Sequence, residues 1–521
     1  MRFLIAILLF PILGFAQDKY PKQEGVDVLN YSVSLVLNDS TDRIMGKVDV
    51  KYQAKETVKA LLLDLFNEYE GKGMLVQGVS CHGQPLTYKH ENNQISIELT
   101  TQMKSEKGAL ITVLYEGVPQ DGLIISKNKF GDRTFFGDNW PNRAHHWFPC
   151  IDHPSEKATV DFKVTAPSHY SVIANGLQTG KTTTENGFKT TWFASKYALP
   201  TKVMVIGVAK FSISNCGDST KIPQYAYVYP QEEENGFQDY CSAIEILEWF
   251  EQKIAPYPYD KLAHVQSKTR YGGMENASCI FYHENSIDGK KGSEYLFAHE
   301  IAHQWFGNSA SEDDWHHVWL SEGFATYLTE VYKQETKGDS AFLAGMEAAG
   351  RRVFSYQKKY PDSKIIDTNF LDLNRLLSPM VYQKAAWMLH TLRAIVGDKI
   401  FWEGVRNYYK QYRYGNATSD LFQEEMEKVC HFSLDSFFDT WLHQSGVPEV
   451  KVKYKYKKKK KQLSVKLSQD KNHWFVVPVT FGYKPEIKEV MDGPKMKMVI
   501  KDARPPKNGL GFDWEHVILM E

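Results

Sequence analysis

The sequence is poor in cysteine and carries almost no net charge. Its 521 residues include 6 cysteines, scattered and without a Cys-x-x-Cys pair, so a zinc site built from cysteine pairs is not expected. We expect most of them to be buried thiols, and their spacing does not reveal which of them pair. The formal net charge of -1 argues against a nucleic acid or an anionic membrane as a partner of the whole protein.

No apolar run is long enough to cross a bilayer as a helix. Residues 1–16 resemble a signal peptide, because Arg2 supplies a positive start, residues 3–13 are mostly apolar and residues 14–16 form a small-x-small site before Gln17. We therefore predict removal of residues 1–16, export to the periplasm or the cell exterior, and no stable membrane insertion afterwards. The alternative is a short N-terminal anchor that is never cleaved.

The patterns along the chain change twice. Residues 17–210 contain segments that alternate apolar and polar side chains, at 31–35, 48–52, 95–99 and 160–164, as half-buried strands do. Residues 211–446 are mostly helical in pattern, with an amphipathic helix predicted over 239–254. Residues 447–521 are strand-like again, and the lysines at 457–461 mark a turn that we interpret as a solvated hairpin. We predict an α+β multidomain chain with an N-terminal antiparallel β domain, a mostly helical domain and a small C-terminal β-sandwich.

The helical region contains His299-Glu300-Ile301-Ala302-His303. Two histidines four residues apart lie on one helix face, so both ring nitrogens can reach one zinc ion. Glu300 then lies beside the metal, where it can take a proton from the attacking water. Ser293 is a candidate cap for the start of this helix and Gly307 a candidate for its end.

A third ligand follows at a suitable distance. Glu322 comes after eighteen intervening residues, in a segment (319–327) that is also helical in pattern, so a short loop can return a second helix antiparallel to the first. Two histidines and one glutamate are a catalytic zinc set that leaves the fourth position open. We predict one zinc ion per chain, bound by His299, His303 and Glu322.

These segments resemble the gluzincin aminopeptidases, that is, the aminopeptidase N family, which also contains the leukotriene hydrolases. The zinc motif, its spacing to Trp-Leu-Ser-Glu322-Gly-Phe-Ala, and two further segments carry the resemblance. Gly272-Gly273-Met274-Glu275-Asn276 matches the Gly-x-Met-Glu-Asn exopeptidase motif, and residues 381–386 are similar to the catalytic-tyrosine segment. The resemblance implies a thermolysin-like catalytic domain over 211–446 and a short member that lacks the large C-terminal helical domain of many relatives.

The resemblance also implies roles for individual residues. Glu300 is the expected general base and Tyr382 the expected donor to the oxyanion, because a phenol with a pKa near 10 stays protonated. Glu275 is expected to bind the α-ammonium group of a peptide. Gly272, Gly273, Met274 and Asn276 are expected to line the substrate backbone. The expected substrates are peptides with a free N-terminus, with no nucleic-acid partner and with no prediction of oligomeric state.

Three positions depart from the family pattern. His153 stands where the family usually has glutamate, and Ala385 stands where it has glycine, which we expect to shift the loop slightly. The family also supplies an amine-binding glutamine or glutamate from the β domain, for which Asp138 and Asn139 are weak candidates. The pairs His145–His146 and His316–His317 are interpreted as loop residues rather than extra ligands.

The sequence leaves three functions open. The leading hypothesis is an exported zinc aminopeptidase that hydrolyses the N-terminal peptide bond with activated water. The first alternative is a lipid-epoxide hydrolase built on the same site, which no residue favours. The second is a non-catalytic peptide-binding scaffold, which should have lost a ligand or Glu300, and none of these is lost.

Overall fold

The fold is taken from a computed structural model, which describes residues 22–56, 58–99, 109–180, 183–217, 221–368, 373–481, 487–501 and 519. The predicted signal peptide (1–16) lies outside these residues, as does part of the predicted C-terminal domain (502–518). No helix in the described part of the chain is both long and apolar enough to cross a bilayer.

The N-terminal region is built of strands, as the alternating pattern predicts. Tyr31, Val33 and Leu35 are buried, and the residues between them are half-buried. The strands are β1 (Val26–Val36), β2 (Ile44–Ala54), β3 (Ala60–Asp64), β4 (Gly73–Cys81), β5 (Gln84–Pro85), β6 (Tyr88–Glu91), β7 (Gln94–Glu98), β8 (Ala109–Val118), β9 (Leu123–Lys127), β10 (Arg133–Gly137), β11 (Lys157–Pro167), β12 (Ser171–Ala174), β13 (Leu177–Gln178), β14 (Thr183–Glu185), β15 (Phe188–Pro200) and β16 (Ile206–Ala209).

These strands form three sheets. The largest has the order β13-β15-β11-β1-β2-β8-β4-β5, with β14 beside β15, and smaller sheets have the orders β12-β16-β10-β9 and β3-β7-β6. The sheets are antiparallel as predicted except for one pair, because β1 and β11 run parallel. That pair comes from strands far apart in the chain, and a parallel pair requires such a long crossover rather than a hairpin.

The middle region begins with a five-stranded sheet and continues with helices. Its strands are β17 (Ser212–Asn215), β18 (Gln224–Val228), β19 (Leu262–Ser267), β20 (Gly273–Met274) and β21 (Cys279–His283), in the order β17-β18-β19-β21-β20. Two short strands, β22 (Ser311–Glu312) and β23 (Asn416–Ala417), pair parallel. The edge strand β20 carries part of the exopeptidase motif, so the sheet places that motif against the helices.

Nine α-helices occur in the described part of this region. They are α1 (Glu233–Cys241), α2 (Ala243–Lys253), α3 (Glu294–Ala302), α4 (Trp319–Lys337), α5 (Asp339–Lys359), α6 (Ala385–Val396), α7 (Asp398–Tyr412), α8 (Ser419–Cys430) and α9 (Asp435–His443). The single helix predicted over 239–254 is wrong in its start, because the structure has two helices that meet at Ser242. The Ser242 hydroxyl bonds to the carbonyl of Asp239, three residues back, which competes with continuous helical bonding there.

Helix α3 is shorter than predicted. It ends at Ala302 rather than near Gly307, because the amides of Gln304 and Trp305 bond to carbonyls three residues back, which tightens the turn. Ser293 is at the N-cap position, but its hydroxyl donates to the carbonyl of Ser286 instead of capping the helix. His303 therefore lies at the C-cap of α3, one residue beyond the helix.

The described part of the C-terminal region forms two small sheets. Strands β24 (Lys451–Lys457), β25 (Gln462–Ser468) and β28 (Lys495–Ile500) form one, and β26 (Val477–Phe481) and β27 (Ile487–Met491) form the other. A short 3-10 helix at Lys458–Lys460 joins β24 to β25. The region packs on the helices through Trp441, whose indole N–H donates to the carbonyl of Val476 and whose ring meets Phe475.

Two lysines, half-buried Lys157 and buried Lys202, join the β domain to the helical region. Lys157, at the start of β11, donates to the carbonyls of Asn308, Ser309 and Gly415 at 3.2, 2.8 and 2.7 Å. Lys202 pairs with Glu312 at 2.5 Å, with both side chains almost fully buried. Since a buried charge is tolerated only when it is paired or fully hydrogen-bonded, these contacts fix how the two parts dock.

Candidate metal centre and active site

Helices α3 and α4 bring the three predicted ligands together. The Nε2 atoms of His299 and His303 lie 3.2 Å apart, and Glu322 Oε2 lies 3.6 Å from the first and 3.3 Å from the second. Ligand atoms bound tetrahedrally to zinc at about 2.0–2.1 Å are about 3.4 Å from one another. The three atoms therefore have the spacing of one metal's coordination shell.

The chemistry of the donors also fits a metal. Glu322 Oε2 is buried and has no hydrogen-bond partner, although it faces two imidazole nitrogens. His303 Nδ1 is held by the carbonyl of Phe306 at 3.1 Å and the hydroxyl of Ser321 at 3.0 Å, which turns Nε2 towards Glu322. A ring nitrogen fixed in this way is the usual support of a metal-binding histidine. Among the described residues, this is the only group of three or more such side chains able to hold a metal.

The charges at the site are strongly coupled. Burial raises the pKa of Glu322, but His303 and His299 outweigh burial and hold that pKa well below its usual value. Burial lowers the pKa of His303, while the carboxylates of Glu322 and Glu275 outweigh burial and raise it to about 9. A cation bound by these three ligands therefore competes with a proton for His303.

Glu300 lies on the same helix but points to the pocket beside the ligands. Burial raises the pKa of Glu300 well above its usual value, with His303 opposing and the carboxylates of Glu275 and Glu322 adding to the increase. A carboxylate whose pKa is raised by burial is a stronger proton acceptor than an exposed glutamate. A Cβ atom at Gly273 would come within 2.4 Å of Glu300 Oε1, so only glycine allows β20 to pass this close.

Tyr382 lies beside the metal ligands. It lies in a π-helical turn (Met380–Lys384), and its ring stacks against His299 with the ring centres 6.2 Å apart. Burial and the carboxylates of Glu322 and Glu275 raise the pKa of Tyr382 well above 10. The hydroxyl therefore keeps its proton and can donate it in a hydrogen bond.

Ala385, where the family has glycine, begins α6 and packs against Gly323. A Cβ atom placed on Gly323 would lie 2.6 Å from the Cβ of Ala385, so the absence of a side chain at 323 makes room for the methyl group. Helices α4 and α6 can therefore lie close together, because the methyl group of Ala385 on α6 occupies the space that Gly323 leaves on α4.

Glu275 follows β20 and lines the same pocket. Its backbone carbonyl accepts from the side-chain amides of Gln304 at 2.8 Å and Asn308 at 2.6 Å, which fixes its position. Its carboxylate is buried, and Oε1 has no hydrogen-bond partner. A buried carboxylate oxygen without a partner needs a donor, so this atom marks a place for a cationic group of a ligand.

The pocket that these residues share has a volume of about 220 Å³. Its walls include all but one of the site residues predicted from sequence, and the exception is Asn276, which is buried behind the wall. The pocket is lined by Trp140, Tyr271, Gly272, Gly273, Met274, Glu275, Leu296, His299, Glu300, His303, Glu322, Leu377 and Tyr382.

The β domain contributes a residue that the sequence did not single out. Trp140 reaches the pocket, whereas Asp138 and Asn139 do not line it. Asp138 is bound to Arg143, Thr269 and the amide of Arg270, while Asn139 donates to two carbonyls and accepts from Trp147. Both polar candidates are therefore occupied by structural bonds, and the aromatic residue beside them forms the wall.

The other histidine pairs lie apart from the metal ligands. His316 bonds to Asp314, and His317 Nδ1 lies 2.9 Å from the hydroxyl of Ser419. His145 bonds to Asp152, and its neighbour His146 stacks on Phe66. None of the four belongs to the group of metal-binding side chains.

Fold and site together define a mononuclear metallohydrolase-type centre held between helices α3 and α4 and the edge strand β20. Two family models match the chain: the Peptidase M1 N-terminal domain over residues 28–203 and the Peptidase family M1 domain over residues 239–441. Together they cover well over half of the sequence. The chain belongs to peptidase family M1. His299, His303 and Glu322 form the group that holds the zinc ion of this family.

Curated relatives are identical to this chain at about one aligned residue in four. Glutamyl aminopeptidase of Mus musculus is 25% identical over 60% of this chain and 35% of its own length. Puromycin-sensitive aminopeptidase of Caenorhabditis elegans is 24% identical over 78% of this chain and 47% of its own length. Tricorn protease-interacting factor F2 of Thermoplasma acidophilum is 25% identical over 72% and 49%. The chain thus spans between about a third and a half of these relatives.

Solved structures share the fold over a larger part of their length. The M1 zinc metallopeptidase from Deinococcus radiodurans superimposes with a TM-score of 0.68 at 23% identity, covering 82% of this chain and 96% of that one. The predicted architecture, a β domain followed by a helical catalytic domain, is therefore confirmed.

Proposed function

We propose that the protein is a zinc-dependent aminopeptidase that hydrolyses the N-terminal peptide bond of peptides. The observation that carries the proposal is the pair of buried carboxylate oxygens without hydrogen-bond partners, Glu322 Oε2 and Glu275 Oε1, in one pocket. The first faces the two imidazoles that complete a metal site. The second offers a fixed negative charge to a free α-ammonium group, which selects the end of a chain over its interior.

The residues divide the chemistry among them. Zinc, when bound, lowers the pKa of water and polarises a carbonyl group. Glu300 accepts a proton from the attacking water and passes it to the leaving nitrogen, for which its raised pKa suits it. Tyr382 donates a hydrogen bond to the carbonyl oxygen as negative charge develops there. Gly272 and Gly273 leave the strand edge free to align the peptide backbone.

The proposal extends to location. Residues 1–16 carry the features of a signal peptide, and Cys216 and Cys241 form a disulfide, a bond that persists in oxidising compartments. The other four cysteines are buried and free. We expect N-terminal sequencing of the exported protein to begin at Gln17. Recovery of the chain with Met1 still attached would contradict export with cleavage.

The function is tested with a panel of aminoacyl fluorogenic substrates, each with a free and an acetylated amine. We expect release of the fluorophore from free-amine substrates, loss of activity with a chelator, and recovery with added Zn²⁺. Equal rates on acetylated substrates would replace the aminopeptidase assignment by an endopeptidase one. Binding of peptides without turnover by the zinc-loaded protein would identify a scaffold.

A further inference from the structure

Positive charge is concentrated at the C-terminal end of a chain that is neutral as a whole. Residues 448–501 contain fifteen lysines and five acidic residues, and no arginine. The whole chain has 62 basic and 63 acidic residues, so the rest of the protein is acidic. The near-zero net charge therefore hides a separation of charge between regions.

The three-stranded sheet arranges much of this charge on one face. In β24, lysines occupy every second position, and their side chains alternate across the sheet with Val452, Tyr454 and Tyr456. The register aligns Lys453 with Lys466, and Lys466 with Lys497. The resulting surface, which we call the lysine face, comprises Lys451, Lys453, Lys455, Lys457, Lys466, Lys495 and Lys497.

The lysine face points away from the protein. All seven lysines are exposed, whereas the opposite face of the sheet carries buried Leu463, Val465 and Leu467 together with half-buried Met496 and Met498. The remaining positions of the face hold Gln462, Ser464, Ser468 and Val499. Apart from exposed Val499, the side chains of this face are polar, and none of its described positions holds an aromatic ring.

Among the described residues, no carboxylate pairs with a lysine of this face. In the part of the chain that the structure describes, no carboxylate oxygen lies within 4.0 Å of the ammonium group of any of the seven. Like charges directly opposite one another on a sheet destabilise it. A row of three lysines across three strands therefore costs stability in the free protein, a cost that an anionic partner would remove.

We propose that the lysine face is a docking surface for an anionic phospholipid bilayer. A bilayer presents a dense and mobile array of phosphate groups, which is complementary in charge to the exposed lysine ammonium groups of this face. Lysine binds phosphate as a point charge, whereas arginine is preferred where planar bidentate recognition is needed. The face contains no arginine.

A nucleic acid is a poorer match to this surface. Single-stranded nucleic acid is bound by aromatic rings that stack on bases, and none of the described positions of the lysine face holds one. Base edges in a duplex are reached by an element that enters a groove, whereas these lysines are spread over three strands of one sheet. The attachment is peripheral and electrostatic, so it does not require the chain to insert into the bilayer.

The test measures co-sedimentation of the full chain with vesicles. We expect binding to phosphatidylcholine vesicles containing about 30% phosphatidylglycerol to be at least about tenfold stronger than binding to pure phosphatidylcholine vesicles. Because exposed charges are screened by salt, the difference should be lost on going from about 0.05 M to about 0.5 M NaCl. Equal binding to both vesicles at low salt would overturn the proposal.

The variants separate this face from net charge. Replacing Lys451, Lys453, Lys455, Lys466 and Lys497 by glutamine should reduce binding to the anionic vesicles about tenfold or more, with peptidase activity unchanged and the thermal midpoint equal to or above that of the parent. The matched control replaces five exposed lysines elsewhere, so that the charge changes equally, and should bind as the parent does. Its positions are Lys51, Lys59, Lys89, Lys399 and Lys410.

Two results would overturn the assignment of the face. Equal loss of vesicle binding in the control variant would show that overall charge, and not this face, drives the attachment. Binding of the parent chain to a short DNA duplex but not to anionic vesicles would show that the partner is a nucleic acid. Neither result would affect the proposed peptidase function, which is measured separately on fluorogenic substrates.

Discussion

The residues around the metal site differ in how far the sequence alone could predict them. His299, His303 and Glu322 were predictable because a helix places residues four apart on one face and because the two-histidine, one-glutamate set is specific. The residue that the β domain contributes to the pocket was not predictable. Asp138 and Asn139 have the right polarity, but only the structure shows that both are already bound and that Trp140 reaches the pocket instead.

Glu300 is tested by removing its charge while keeping its shape. We expect Glu300→Gln to retain zinc, measured by metal analysis of the purified variant, and to lose at least about a hundredfold in kcat, since general-base catalysis contributes about 10²–10⁴. Full activity in this variant would remove Glu300 from the mechanism.

Glu275 is tested by the difference between two substrates. We expect Glu275→Ala to raise KM for a free-amine substrate about tenfold or more, because one charged hydrogen bond is worth about 1.5–3 kcal/mol. Any turnover of the matching acetylated substrate should change little. Equal effects on the two substrates would contradict a role in binding the amine.

Packing between helices decides where the catalytic side chains end up. The periodic pattern of the sequence predicted the existence of α3 and α4, but not that α3 ends at Ala302. It could not reveal the break at Ser242 either, because both ends depend on local bonds to carbonyls three residues back. The expectation that Ala385 shifts its loop also needed the structure, since the compensating feature, Gly323, lies on another helix.

A compensated pair of substitutions tests this contact. Gly323→Ala places two Cβ atoms 2.6 Å apart, so we expect α4 and α6 to separate, kcat to fall, and stability to fall by about 1–3 kcal/mol. Adding Ala385→Gly should restore most of both, measured by activity and by denaturant unfolding. Additive losses in the double variant would show that the two residues do not share this space.

At the scale of the whole molecule, Lys157 and Lys202 connect the β domain to the helical region. Burial lowers the pKa of Lys157 to about 7, with Glu312 opposing and Lys202 adding to the decrease. In the unfolded chain the pKa of lysine is about 10.4. Between these two values the unfolded state binds more protons than the folded state, so the free energy of unfolding rises with pH in this window.

Lys157→Met removes this contribution. We expect the rise in the free energy of unfolding between pH 7 and pH 9 to be smaller in this variant by on the order of 2 kcal/mol. The measurement is urea unfolding across that pH range. Lys163→Met, on the same strand but exposed, is the matched control and should follow the parent. Parallel pH profiles for all three proteins would contradict the lowered pKa of Lys157.

The distribution of charge over the molecule was the feature that the sequence predicted least well. A net charge of -1 argues against a nucleic acid or an anionic membrane as a partner of the protein as a whole, and the sequence pattern at 457–461 predicts only a solvated hairpin. Composition sums over the chain and cannot show that strand register aligns Lys453, Lys466 and Lys497 in one row.

The wall that Trp140 provides means that the helical region is not a self-sufficient unit. Excising residues 211–446 would leave the three metal-binding side chains on their own helices but would open one side of the pocket. It would also leave Glu312 buried without its ammonium partner, and three carbonyls without the lysine that now satisfies them. The β domain is thus a structural part of the active site, and a minimal enzyme must retain it.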